Sequence, residues 1–278
     1  MVDEAKLSDN TFNKIADYFY KHTGILLKVQ KKYLVENRLE RYIGKDNRFK
    51  SFEDFYKALI EDRTGEIKSL LIQALTTNWT FFFRENIHFD FLKQYLIKNC
   101  DKETYLRIWS AGCSTGEEAY SAAITSYETL PNINSYDLKI LATDISMKVL
   151  HQAISGVYHY SKIKNNIPDN LLKKYFIFDK ENKSFIVKEN IKNLVYFRYL
   201  NLMNKFPFQK KFDIVFLRNV LIYFDRNEKE YILYKIYDYI KENGYLILGM
   251  SESLVDVKHP FKILKNSIYS KKYKFDFE

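Results

Sequence analysis

The sequence predicts an α/β chain: a Rossmann-like sheet with a small β insertion, preceded by an all-α N-terminal domain. Three observations carry that prediction. Leu106-Arg107-Ile108-Trp109 is a short extended-type run that breaks into small residues from Ser110 to Gly116. It closes on Glu117-Glu118 and an alanine-rich run that reads as a helix. Strand, tight loop, helix is how a ligand-binding α/β unit begins. Residues 138–146 and 212–220 are further buried-type runs that end in polar residues, as strands of a parallel sheet covered on both faces do. Residues 7–75, by contrast, carry their apolar side chains at helical spacing. The division that follows is 1–76 and 77–278, with a β subdomain at about 156–197.

In the helical part, Phe12, Ile15, Ala16 and Phe19 form one stripe, Ser8-Asp9-Asn10 can cap it, and Gly24 ends it. A second helix is expected over 31–42, with Leu34, Val35, Leu39 and Ile43 on one face and Lys31, Lys32, Arg38 and Arg41 on the other. Such a basic face reads either as a solvated surface or as a docking surface. Ser51-Phe52-Glu53-Asp54 starts a third helix, and 66–75 forms a fourth. Thr76 to Glu85 follows, with two threonines, an amide and an arginine bracketing three phenylalanines. On a helix Thr80 and Arg84 would share a face. As a linker the same segment would bring Asn78, Thr80 and Arg84 to a polar pocket. A helix is expected at 86–97.

The loop that follows Trp109 has a chemical bias. Small residues let a ligand approach the backbone, and a helix N-terminus offers free N–H groups. Two carboxylates at the end of such a loop disfavour phosphates. Glu117-Glu118 suits a ligand with a cationic part, and S-adenosylmethionine, with its sulfonium and ammonium, fits better than a dinucleotide. The loop alone leaves open a methyltransferase or a tight turn in another α/β protein. Asp144, at the end of the second strand, offers acceptor oxygens to the two hydroxyls of a ribose. A helix is expected at 147–155. The alternation then stalls: a short helix at 171–175, a hairpin from Phe176-Ile177-Phe178 and Ser184-Phe185-Ile186-Val187, and the run 194–197 read as the β insertion. The strand ending at Arg218-Asn219 lies at the ligand edge, with Tyr223 just beyond it. A helix at 228–242, capped by Asn243-Gly244, the strand 245–249, and one or two closing strands within 261–277 complete the chain.

Composition narrows the function classes. The formal charge of +9 points to an acidic partner: nucleic acid, anionic membrane or an acidic protein surface. The abundance of Tyr and Phe beside so many Lys, Asn and Ile reads as compositional bias. Two cysteines and five scattered histidines make neither a disulfide framework nor a metal motif, so no metal and a reducing cytoplasmic location are expected. No apolar run approaches the ~20 residues of a membrane span, and the N-terminus lacks the apolar core of a signal peptide.

Five motifs together resemble one family, the chemotaxis receptor glutamate methyltransferases of the CheR type. They are Thr77-Asn78-Trp79-Thr80-Phe81-Phe82-Phe83-Arg84-Glu85, Trp109-Ser110-Ala111-Gly112-Cys113-Ser114-Thr115-Gly116-Glu117-Glu118, Ala142-Thr143-Asp144-Ile145, Arg218-Asn219-Val220-Leu221-Ile222-Tyr223-Phe224-Asp225 and Gly249-Met250-Ser251-Glu252-Ser253. The likeness runs from about Phe12 to Tyr273. It implies an S-adenosylmethionine-dependent methyltransferase sheet and an enzyme that esterifies glutamate side chains on the cytoplasmic helices of methyl-accepting chemoreceptors, releasing S-adenosylhomocysteine. It further implies that Asn78, Thr80, Arg84, Glu118, Asp144, Asn201, Leu202, Arg218 and Asn219 line the cofactor pocket, with Glu117 the alternative to Glu118. Arg84 and Tyr223 would sit nearest the transferred methyl. Lys31, Lys32, Arg38 and Arg41 would dock on the acidic receptor bundle. The hairpin turn at 179–183 is short and lacks glycine, which puts the receptor-tail grip of some members in doubt here. A monomer is expected, with no membrane insertion and no nucleic acid. The rival readings are a same-fold methyltransferase acting on nucleic acid and a non-catalytic, cofactor-sensing receptor-binding module. The double glutamate disfavours a dinucleotide dehydrogenase.

Overall fold

The structure is a computed structural model that describes residues 6–272. Helix α1 (Asp9–Thr23) starts where the Ser8 hydroxyl accepts from the Thr11 N–H, and stops at Gly24, whose φ of 73° most residues avoid. Helix α2 (Lys32–Leu39) is shorter than its sequence stripe suggested, because a 3-10 turn tightens each end (Val29–Lys31 and Glu40–Tyr42). Helices α3 (Phe52–Glu61) and α4 (Glu66–Leu75) close a bundle around Phe12, Ile15, Phe19, Val35, Leu39, Phe55 and Leu59. Residues 76–86 form no helix, so Thr80 and Arg84 do not meet through helical spacing. This strap leads to α5 (Ile87–Asn99) through Phe83 and Glu85, both at positive φ.

The α/β part then runs β1 (Leu106–Ala111), α6 (Glu117–Thr129), β2 (Leu138–Asp144) and α7 (Met147–Ser155). Next come β3 (Val157–His159), α8 (Tyr160–Ile163), α9 (Asp169–Tyr175), β4 (Phe176–Asp179), β5 (Ser184–Val187), α10 (Glu189–Lys192) and β6 (Val195–Tyr199). Last are β7 (Phe212–Leu217), α11 (Arg226–Tyr239), β8 (Ile240–Leu248), β9 (Lys262–Lys265) and β10 (Ile268–Ser270). The large sheet has the order β6-β2-β1-β7-β8-β10-β9. It is parallel from β6 to β8, and β10 lies antiparallel to β8 and β9. From β1 the chain builds outward to β2 and β6, then returns to build β7 and β8 on the other side. The carboxyl ends of β1 and β7 therefore diverge at a switch point, where open α/β sheets bind ligands. Alternate residues face two separate cores: Ile108, Ile140, Ile214 and Phe216 on one, Trp109, Val215 and Leu217 on the other.

Three details depart from the sequence reading. The insertion is a three-stranded antiparallel sheet, β3-β5-β4, and β3 gave no sequence signal at three residues. Strand β6 pairs with β2 in the large sheet, so the small sheet ends before residues 194–197. The last long helix ends at Tyr239. Asn243-Gly244 does not cap it but lies in an irregular stretch of β8, where pairing steps from Phe212↔Ile240 to Ile214↔Tyr245. A Cβ on Gly244 would sit 2.9 Å from the Asp213 carbonyl oxygen, which is why glycine occupies the bend. The closing hairpin β9–β10 lies at the sheet edge; the rest of that expected stretch, from Tyr273 on, is outside the described residues.

Candidate active site

A cleft of about 1210 Å³, including its open mouth, lies at the carboxyl ends of β1, β2 and β7. The loop after β1 forms its floor. The Gly112 and Cys113 N–H groups both donate to the Thr143 carbonyl, at 2.8 and 2.9 Å, which turns the chain back across β2. Gly112 has φ 81°, and a Cβ there would sit 2.5 Å from Val220 Cγ2. Any side chain would collide with the facing loop. At the end of β2, Asp144 accepts from the Ser114 and Ser146 N–H groups, each at 2.9 Å. Burial pushes its carboxyl up, and the two amides oppose that shift.

One residue of helical rotation, ~100° on an α-helix, separates the fates of the two glutamates. Glu118 lines the cleft, accepting from the Ser110 hydroxyl at 2.7 Å and from Arg218 Nη1 at 3.2 Å. Glu117 is buried, accepts from the Thr115 hydroxyl at 2.6 Å, and does not line the cleft. Of the open pair, Glu118 is the one that can meet a ligand. Burial raises the pKa of both; for Glu118 the nearby Arg218 works against the rise.

Arg218 is 6% exposed and bridges two carboxylates. Its Nη1 reaches Glu118, its Nη2 reaches Glu85 Oε2 at 3.0 Å, and Nη2 also donates to the Arg84 carbonyl. Glu85 in turn accepts from the Met250 N–H at 3.1 Å. Glu85 therefore pairs with Arg218 rather than with its neighbour Arg84. The Arg84 guanidinium donates to the Trp79 carbonyl at 3.1 Å and lies 5.8 Å from the Phe81 ring centroid. Among the described residues it forms no ion pair of 4.0 Å or less. Tyr223 sits in a 3-10 turn with its hydroxyl 3.5 Å from the Thr77 carbonyl, at the outer limit of a hydrogen bond. That leaves its donor free for a better acceptor.

Asn78, Thr80, Arg84, Glu118, Asp144, Asn201, Leu202, Arg218, Asn219 and Tyr223 all line this one cleft. Asn201 also holds the two domains together: its Nδ2 donates to the His22 carbonyl at 2.7 Å, and its Oδ1 accepts from the Met203 N–H at 2.9 Å. Two features were missed from sequence. The helical domain supplies part of the wall, through Thr23, Ile25, Leu75 and Thr76. Glu252 accepts from the Asn219, Gly249 and Ile222 N–H groups at 2.6, 2.9 and 3.3 Å. It thus fixes Asn219, at φ 58°, and the turn that carries Tyr223. An acid between two serines just past a strand was the available signal.

The basic face of α2 is not uniform. Lys31 and Arg41 are exposed, and Lys32 pairs with Asp9. Arg38 points inward: Nη1 donates to the carbonyls of Ala74, Leu75 and Thr76 and Nη2 to the Thr77 hydroxyl, at 3.4, 3.0, 3.1 and 3.0 Å. The last turn of α4 leaves carbonyls without intrahelical partners, and a guanidinium has donors enough to take them. Arg38, expected on the docking face, thus has its guanidinium engaged by the end of α4.

The lining fits S-adenosylmethionine. Asp144 can accept from a diol. Glu118 brings a carboxylate to the same wall, where it can meet the cationic part of the ligand. Glycine at position 112 lets the loop after β1 pack directly against Val220 at the cleft floor. Among the described residues no cluster of His, Cys, Asp or Glu could hold a metal, and no helix is long and apolar enough to cross a membrane. Switch-point sheet, small-residue loop and acid-lined cleft define an S-adenosylmethionine-dependent methyltransferase. Residues 10–76 match the family described as "CheR methyltransferase, all-alpha domain", and residues 78–270 match "CheR methyltransferase, SAM binding domain". The chain belongs to the CheR methyltransferase family. It is 40% identical over 257 residues to a chemotaxis protein methyltransferase of Borreliella burgdorferi, covering 89% of each chain. It is 34% identical over 276 residues to the chemotaxis protein methyltransferase of Escherichia coli, covering 97% of this chain and 93% of that one. Chemotaxis protein methyltransferase 2 of Vibrio cholerae is 32% identical over 281 residues, with 98% and 96% covered.

Proposed function

We propose that this chain acts in chemotaxis, moving a methyl group from S-adenosylmethionine to glutamate side chains on the helices of chemoreceptors, with formation of glutamyl methyl esters and S-adenosylhomocysteine. S-adenosylmethionine supplies a methyl group made electrophilic by a positively charged sulfur. The residues that would hold it are Asp144 at the ribose, Glu118 at the cationic part, and Asn78, Thr80, Asn201, Leu202, Arg218 and Asn219 along the wall. The observation that carries the reading is the contrast between the two arginines. Arg218 is paired with Glu85 and Glu118, whereas Arg84 reaches the same cleft without a carboxylate of its own.

A glutamate with its unperturbed pKa of ~4.3 is already ionised at neutral pH, so it needs no general base. No histidine lines the cleft, which agrees. The task left to the protein is to strip water from an incoming carboxylate and aim it. Arg84 can fork to that carboxylate or to the carboxylate of the cofactor. Tyr223 can donate to one oxygen and leave the other free to attack. Both residues orient; too strong a grip would blunt the nucleophile.

The direct test is release of volatile methanol, on treatment with base, from a receptor fragment labelled by the purified chain. Base-stable label, label on RNA or DNA instead, or cofactor binding without any transfer would each defeat this reading. A second prediction separates the residues of α2. Lys31→Glu with Arg41→Glu is expected to raise the KM for a receptor fragment, more so at low salt, with cofactor affinity unchanged. Arg38→Ala is expected to do the opposite: to weaken cofactor binding about tenfold, because the Leu75 and Thr76 carbonyls and the Thr77 hydroxyl of the cleft wall lose their donor. Calorimetry with S-adenosylhomocysteine checks it, and unaltered affinity in Arg38→Ala would return that residue to the docking face.

A further inference from the structure

We propose that Trp79 is a substrate-contacting residue, whose indole packs against the apolar side chains flanking the acceptor glutamate on an amphipathic helix. This rests on the reaction proposed above. The chain has two tryptophans. Trp109 is fully buried, whereas Trp79 is 77% exposed at the cleft mouth. Its ring is displayed on a fixed backbone: the Trp79 carbonyl accepts from Arg84, and the preceding Asn78 carbonyl accepts from the Ser114 hydroxyl at 3.2 Å. Ile222, 51% exposed, lines the same cleft, and Glu252 holds its N–H. Two exposed apolar side chains thus share a mouth with the unpaired guanidinium of Arg84. A cation bordered by apolar groups is the complement of a carboxylate bordered by apolar groups. On a helix, residues three and four positions from an acceptor share its face and would reach such a rim. An exposed tryptophan can also stack on a nucleic-acid base. Here the second exposed side chain is the aliphatic Ile222, which can pack against apolar residues and offers no ring to stack on a base, so we favour the peptide helix.

The two tryptophans make the test direct. Acrylamide should quench Trp79 and spare Trp109 in the full-length chain. A receptor-helix peptide carrying an acceptor glutamate should protect Trp79, and a single-stranded oligonucleotide should not. Trp79→Ala is expected to raise the KM for that peptide about tenfold, with a smaller change in kcat. Affinity for S-adenosylhomocysteine should hold, and Trp79→Phe should restore most of the loss. Unchanged KM in Trp79→Ala, or protection by the oligonucleotide and not by the peptide, overturns the proposal while wild-type methyl transfer still stands. Absence of transfer by the wild-type chain overturns the reaction, and this proposal with it.

Discussion

Arg84→Ala is expected to lower kcat for methyl transfer by about 10²-fold or more, because misplacing a reactant by about an ångström already costs that much. Little stability should be lost with it. The guanidinium is half-buried, it donates to the Trp79 carbonyl, and among the described residues no carboxylate depends on it. Surface substitutions of that kind usually stay within about 0.5 kcal/mol. The kinetic pattern tells which carboxylate Arg84 serves. A fall in kcat with little change in the KM for the cofactor points to the acceptor; weakened binding of S-adenosylhomocysteine points to the amino-acid end of the cofactor. Arg84→Lys should recover only part of the rate, since an ammonium keeps the charge and loses the planar fork. Near-normal turnover in Arg84→Ala would remove the residue from the mechanism.

Most of what positions the site was legible before any coordinates. Continuous apolar runs that end in Asp144 and Arg218-Asn219 read as strands buried on both faces, and in an open α/β sheet ligands bind at the carboxyl ends of such strands. The small residues from Ser110 to Gly116 read as room for a ligand to approach, whereas the close neighbour of Gly112 is Val220 of the facing loop. What stayed hidden depends on contacts distant in the chain. Nothing near Arg38 shows that the end of α4 will present bare carbonyls to it. Glu117 and Glu118 differ only in helical phase. Glu85 adjoins Arg84 in sequence, yet positive φ at Phe83 and Glu85 turns the chain so that Glu85 faces Arg218. Asn243-Gly244 does announce a break, but propensity cannot say whether a helix or a strand is being broken.

Arg218→Leu is the substitution expected to cost the fold most. It would leave Glu118 and Glu85, with side chains only 12% and 19% exposed, without the guanidinium that both contact. Removing one partner of a buried ion pair costs about 3–5 kcal/mol, which thermal unfolding should register plainly. Its pH dependence is the sharper signature. Burial already raises the pKa of Glu118, and Arg218 holds that rise in check. Without Arg218 the folded-state pKa moves further above the unfolded value. The native state then binds a proton that the unfolded state releases, so stability falls as pH rises through that pKa. The deficit of the variant should therefore be full above the raised pKa and narrow as the solution is acidified toward the ordinary glutamate range. Cofactor affinity should move the other way, because acidification removes the negative charge that favours a cationic ligand. Adding Glu118→Gln to Arg218→Leu should return part of the lost stability and flatten that slope, since a neutral amide leaves no buried charge at that position. A stability difference that stayed constant with pH would mean that Glu118 does not depend on Arg218 for its charge.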